Sequence, residues 1–199
     1  MGVTGDVSGS VTGENSEAGW KRSLAALEEA AGAAGRRGPP PLHLWNPPDR
    51  GDSHIEILRD GVWRHEGTPF TRESLVRLFS TILRKEADGL TYLVTPGEKL
   101  RVRVEDAAFL AVRADRLESP EGPAVVFTTN VGDVVAAGPD HPIRVAHEGA
   151  EPRPYVRVRG DLEARILRAP FYEMADWAEE RDGRLVLESR GACFDLGAA

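Results

Sequence analysis

Lys99, Asn130, Arg153, Tyr155 and Arg168 are the side chains whose types and settings suit the capture of a charged small molecule. Lys99 follows the tight Thr95-Pro96-Gly97-Glu98 loop, and Asn130 closes the polar run Thr128-Thr129-Asn130 at a strand end. Arg153 and Tyr155 bracket Pro154 where a strand opens, and Arg168 and Tyr172 flank the start of a helix. Guanidinium forks and helix N-termini bind phosphate, because both present several N–H donors to one anion. If the two halves of the chain pack face to face, Lys99, Arg153 and Arg168 converge with Tyr155 on an anionic, ring-bearing ligand, with Asn130 beside them. The competing expectation pairs each cation with one of the 32 acidic residues at the surface.

Other reactive types are less well placed. His65-Glu66-Gly67 and His147-Glu148-Gly149 look like halves of a zinc-binding helix motif, but neither has a second histidine four residues on. A metal site needs three converging ligands, so these read as loop residues, and no metal or other cofactor is expected. Asp140-His141-Pro142 sets an imidazole beside a carboxylate, as a general base requires. The same triplet reads better as an Asx turn before proline, in which Asp140 caps its own backbone. Cys193, between Ala192 and Phe194, reads as a buried structural thiol with no adjacent base. Neither a Gly-x-Ser-x-Gly elbow nor a phosphate-binding Gly-rich loop occurs.

The chain has 199 residues and a net charge of −7, from 25 basic and 32 acidic side chains. That balance argues against bulk nucleic-acid binding. One cysteine excludes an internal disulfide. Without a signal-like N-terminus or an apolar run long enough to span a bilayer, a cytoplasmic protein with no membrane partner is expected.

The elements that must position the candidate residues follow from periodicity. Residues 1–41 read as a disordered tail, a short helix carrying Trp20, Leu24, Leu27 and Ala31 on one face, and a Pro-rich spacer. Leu42 to Pro48 form an apolar arm whose Trp45 needs a groove on the body. Residues 42–104 read as an N-terminal α+β domain. Its Ile55 and Ile57 strand turns at Asp60-Gly61 in a two-residue type I′ hairpin into Val62-Trp63. A helix capped by Thr71 carries Leu75, Leu78, Phe79, Ile82 and Leu83 and stops at Asp88-Gly89; two strands follow. Residues 105–197 read as a β-rich C-terminal domain, a roll or barrel punctuated by Gly and Pro. Its end repeats the earlier order: a strand at Tyr155–Val158, a turn at Gly160-Asp161, a return strand, a helix with Pro170 at its first position, a stop at Asp182-Gly183 and two short strands. Residues 54–104 and 154–196 therefore look like one ββαββ motif used twice, in a two-domain α+β fold.

The same residues resemble a known family. Arg59-Asp60-Gly61-Val62-Trp63, Gly67-Thr68-Pro69, Tyr92-Leu93-Val94-Thr95-Pro96, Phe127-Thr128-Thr129-Asn130, His141-Pro142 and Arg153-Pro154-Tyr155-Val156 occur in the order of the bacterial family called domain of unknown function 1285. The resemblance runs from about Leu42 to Leu196. It implies two domains with a duplicated motif, a C-terminal half loosely like pleckstrin-homology folds, a nucleotide-type ligand at the domain interface and a role in signal transduction. The chain departs from the family pattern at Arg50, at Ser53-His54, at Gly160-Asp161, where Asp-Gly is usual, and at Leu167, where Asn is common. The resulting expectation is a ligand-binding or regulatory protein, not an enzyme, taking a nucleotide-like small molecule. Its rivals are a small hydrolase or transferase using His141 with Asp140, and a protein-interaction module presenting the Trp45 arm.

Overall fold

A computed structural model describes residues 40–119, 122–148 and 151–199. The expected tail and its short helix lie outside these residues. The described residues build two six-stranded sheets, a three-stranded sheet and two α-helices. The architecture is α+β in two β-rich halves, as the periodicity indicates.

In the first half, β1 (Asp49–Ile57), β2 (Trp63–His65) and β3 (Thr68–Pro69) lead into helix α1 (Glu73–Thr81). Strands β4 (Leu83–Lys85), β5 (Thr91–Val94) and β6 (Lys99–Val104) follow, in the spatial order β3-β2-β1-β6-β5-β4. The parallel β1–β6 pair joins the two ends of the unit. Ile55, Ile57, Trp63 and Val102 bury one face of this sheet with Phe79 and Ile82 from the end of α1. The apolar arm packs on the body as its composition requires. Arg84 donates to the carbonyls of Leu42 at 2.7 Å and Trp45 at 2.8 Å, and Pro47 is buried.

The second half holds β7 (Phe109–Ser119), β8 (Gly122–Thr129), β9 (Val134–Ala136), β10 (Ile143–Glu148), β11 (Glu151–Arg159) and β12 (Leu162–Ile166), in the order β10-β11-β12-β7-β8-β9. Helix α2 (Arg168–Trp177) precedes the meander β13 (Glu179–Arg181), β14 (Arg184–Ser189) and β15 (Ala192–Ala198). The meander packs back on the second sheet, β14 against β8 and β15 against β10. One apolar cluster runs through both halves, from Ile55 and Trp63 to Phe109, Phe127, Met174 and Leu187. Burial of this contiguous surface fixes one half against the other.

The duplicated order is present, with two corrections. Each copy has three strands after its helix and not two, the additional ones being β4 and β13. Asp88-Gly89 and Asp182-Gly183 are accordingly hairpin turns, not helix stops, joining β4 to β5 and β13 to β14. The copies also differ in closure. In the first, the last strand pairs with the first; in the second, β12 pairs in parallel with β7 and the meander forms its own sheet.

Local geometry corrects three further expectations. The Asp60-Gly61 turn is a three-residue loop closed by Leu58 and Val62, with only Gly61 at positive φ (83°), the arrangement of a type I turn with a glycine bulge. Arg72, not Thr71, is the N-cap of α1 and makes no side-chain cap bond. Pro170 is the third residue of α2, still within the first turn where a missing N–H costs no intrahelical bond.

Candidate functional site

The first hairpin loop of the N-terminal half and the β11, β12 and α2 segments of the C-terminal half enclose a cavity of about 700 Å³. Four arginines line it: Arg59 from the loop, Arg153 from β11, Arg165 from β12 and Arg168 from the first turn of α2. Glu151 is the one carboxylate among the described lining residues. Pro152, Pro154, Phe171 and Tyr172 supply flat apolar surface, and Tyr172 is 58% exposed.

Each arginine is placed by backbone structure. Arg59 sits in the loop that Gly61 closes, and its backbone N–H donates to Glu105 Oε2 at 3.0 Å. That loop lies directly against the other half, where a Cβ on Gly61 would lie 2.8 Å from Leu110 and 3.0 Å from Asn130. Cross-strand pairing sets Arg144, Tyr155 and Arg165 in one row over β10, β11 and β12. Arg168 opens α2 after Leu167, which provides no side-chain cap, so first-turn N–H groups lack partners within the helix. Arg168 stands 3.5 Å from Glu151.

Tyr155 lies behind the wall of this cavity. It is 5% exposed, donates its hydroxyl to Asp106 Oδ1 at 2.7 Å, and carries the Arg144 guanidinium 4.1 Å from its ring centre. Burial, then the Asp106 bond, pushes its hydroxyl above the usual phenol range. Asp106 Oδ2 lies 3.4 Å from Arg165, linking Tyr155 to the cavity wall through one carboxylate.

Two expected members are elsewhere. Lys99 does not converge with the arginines: its ammonium pairs with Glu86 and lies 4.5 Å from the Tyr92 ring centre, while Glu86 also pairs with Arg84. That network latches the arm through Arg84, so Lys99 is absorbed by the first half. Asn130 is a seam residue: its Oδ1 accepts from Leu110 N at 3.0 Å and its own N–H donates to Leu110 O at 2.8 Å. It borders a separate cavity of about 380 Å³ with Gly61, Val62 and Trp63. Arg59 and Arg165, which the sequence reading passed over, take the two places. Only the Pro-flanked Arg153 and the helix-start Arg168 carried a sequence signal.

The remaining motifs are structural in this geometry. Glu66 and Gly67 form a type I′ turn between β2 and β3, both at positive φ (49° and 78°). His147 lies in β10. His141 closes a turn with Gly138 by paired backbone bonds, and its Nδ1–H donates to the Arg157 carbonyl at 3.1 Å. Cys193 is accessible at the surface, not buried as expected, with Arg181 3.9 Å from its sulfur. No cluster of metal-ligating side chains occurs among the described residues, and none of their helices is long and apolar enough to cross a membrane.

Comparison with known proteins matches the chain to two models described as the N-terminal domain of a domain of unknown function, DUF1285, over residues 40–107, and the C-terminal domain of DUF1285 over residues 108–196. The crystal structure of a DUF1285 family protein from Silicibacter pomeroyi DSS-3 is similar at 48% identity and a TM-score of 0.76, covering 81% of this chain and 89% of that one. A DUF1285 family protein from Shewanella baltica OS155 is 26% identical, with a TM-score of 0.49 and coverage of 61% and 90%. No curated protein matches.

Proposed function

The chain belongs to the DUF1285 family, and from that premise we propose that it binds a nucleotide-type anion in the cavity between its halves, acting as a cytoplasmic regulatory module in signal transduction. One observation carries the reading: four arginines drawn from both halves line one cavity whose described lining includes a single carboxylate, in a protein of net charge −7. Arg165 and Arg168 meet their carboxylates, Asp106 and Glu151, at only 3.4 and 3.5 Å, and arginine forks match phosphate oxygens in pairs. The uncapped first turn of α2 adds N–H donors on the same side as Arg168. Tyr172 and Phe171 offer a nucleobase a stacking surface, and a volume of about 700 Å³ falls within the ordinary range of ligand pockets.

The cavity wall favours capture over turnover. Its described lining contains no histidine, serine or cysteine that could form a nucleophile–base pair. His141, the imidazole that a hydrolase reading would use, is not among the residues lining this cavity; its Nδ1–H is on the Arg157 carbonyl.

A thermal-shift screen with nucleoside mono-, di- and triphosphates and inorganic pyrophosphate tests the proposal. A ligand at a hundred times its Kd stabilises the fold by about 2.7 kcal/mol. For a chain of this size that raises Tm by about 5–10 °C. No shift with any of these anions would overturn the reading.

A further inference from the structure

Two consecutive residues between the halves, Glu105 and Asp106, each hold one arginine of the cavity. Glu105 accepts the backbone N–H of Arg59, and Asp106 faces the guanidinium of Arg165. The two Asp106 contacts are unequal. Its Oδ1 receives the buried Tyr155 hydroxyl at 2.7 Å, while Oδ2 stands 3.4 Å from Arg165 Nη1. The second distance is long for a charge-assisted bond, which ordinarily spans about 2.7–2.9 Å. Arg165 is thus held mostly by charge and can turn to another anion without breaking the Tyr155 bond.

We propose that Asp106 is a built-in competitor for the ligand of this cavity, so that occupancy is coupled to the junction between the two halves. This rests on the anion-binding reading of the cavity. An incoming phosphate takes the guanidinium that Asp106 engages in the empty protein, leaving Tyr155 as the partner of that carboxylate. Asp106 acts on the ligand in two opposing ways. It keeps Arg165 in the wall, which favours binding, and it sets a negative charge 3.4 Å from the guanidinium that the anion would engage, which opposes it. With the Asp106 and Arg165 side chains only 11% and 26% exposed, solvent screening is reduced and repulsion is the larger effect. Restraint of a single side chain is the smaller.

The test is calorimetric titration of inorganic pyrophosphate into the native protein and three variants. Asp106→Asn keeps the shape and removes the charge, and is expected to bind about two- to fivefold tighter, the range of one partly screened ion pair. Glu105→Gln removes a neighbouring charge that touches no cavity guanidinium, and is expected to change affinity by less than about twofold. Tyr155→Phe leaves Arg165 as the main partner of Asp106 and is expected to bind about twofold more weakly, which keeps the test available if Asp106→Asn does not fold. Native-like or weaker binding by Asp106→Asn, equal gains in Asp106→Asn and Glu105→Gln, or tighter binding by Tyr155→Phe each overturn the competitor role while leaving the cavity reading intact. Absence of pyrophosphate binding by the native protein removes both.

Discussion

The Arg168 guanidinium stands 3.5 Å from the Glu151 carboxylate in the wall of the interdomain cavity, and both side chains are largely in water, 75% and 70% exposed. A pair this open and this long contributes little to folding, because hydration competes with it and salt screens it. Its consequence is for binding. Glu151 engages one cation of the cavity that the proposed anion would take. Glu151→Gln is therefore expected to raise the affinity for pyrophosphate or a nucleotide by about two- to fivefold, with Tm unchanged in the absence of ligand. Calorimetry and a melting curve on the same sample check both halves of the statement.

Arg59 reaches the cavity from the other half of the chain, and its backbone bond to Glu105 does not depend on its side chain. Arg59→Ala is expected to weaken anion binding by about tenfold, the worth of one charge-assisted contact, while the stability of the free protein stays within about 0.5 kcal/mol of native. A loss of stability equal to the loss of binding would make Arg59 a packing residue instead.

Gly61 is constrained twice, by its φ of 83° and by Leu110 at 2.8 Å from the place of a Cβ. Gly61→Ala is expected to destabilise the protein by about 1–3 kcal/mol, since the left-handed backbone strains alanine and the Leu110 side chain must shift. Denaturant unfolding measures this. Gly67→Ala, with a similar φ of 78° and no neighbour within 4 Å, separates the backbone contribution from the contact.

Glu86 is a pH-sensitive tie. Burial alone would push its carboxyl up, but hydrogen bonds and charge from Lys99 and Arg84 outweigh it and hold the group below its ordinary 4.5. An acid with a depressed folded value stabilises the fold above its unfolded value and loses that contribution as pH falls through the folded one. Stability in urea is therefore expected to fall on acidification below about pH 4.5, less so in Glu86→Gln. The arm held by Arg84 is expected to become more open to proteolysis over the same interval.

How much of this was readable beforehand depended on whether a residue's role is local. Asp60-Gly61 announced its turn, because positive φ is a local demand, whereas Asp88-Gly89 and Asp182-Gly183 read as helix stops and form hairpin turns, because which elements a pair joins is not local. Leu83 continues the apolar period of α1, so β4 was hidden inside the helix pattern. The β13 residues Glu179–Arg181 are all exposed and charged, leaving no apolar signal for a strand. The site divides in the same way. Arg153 and Arg168 sit beside Pro154 and at a helix start, where sequence marks a junction. Arg165 reads as an ordinary outward strand residue until the β11–β12 register sets it beside Tyr155. Arg59 enters the cavity only because the Gly61 loop lies on Leu110. Lys99 misled because its partner Glu86 belongs to a hairpin the pattern did not reveal.

The central claim is that an anion binds between the halves on arginines from each. Calorimetric titration of nucleoside diphosphates and pyrophosphate into the native protein and into Arg153→Ala/Arg168→Ala tests it most directly. The expected result is saturable one-to-one binding by the native protein, weakened by at least about a hundredfold when both charge-assisted contacts are removed. Equal affinity in the two proteins, or no heat from any of these anions with the native chain, would contradict it.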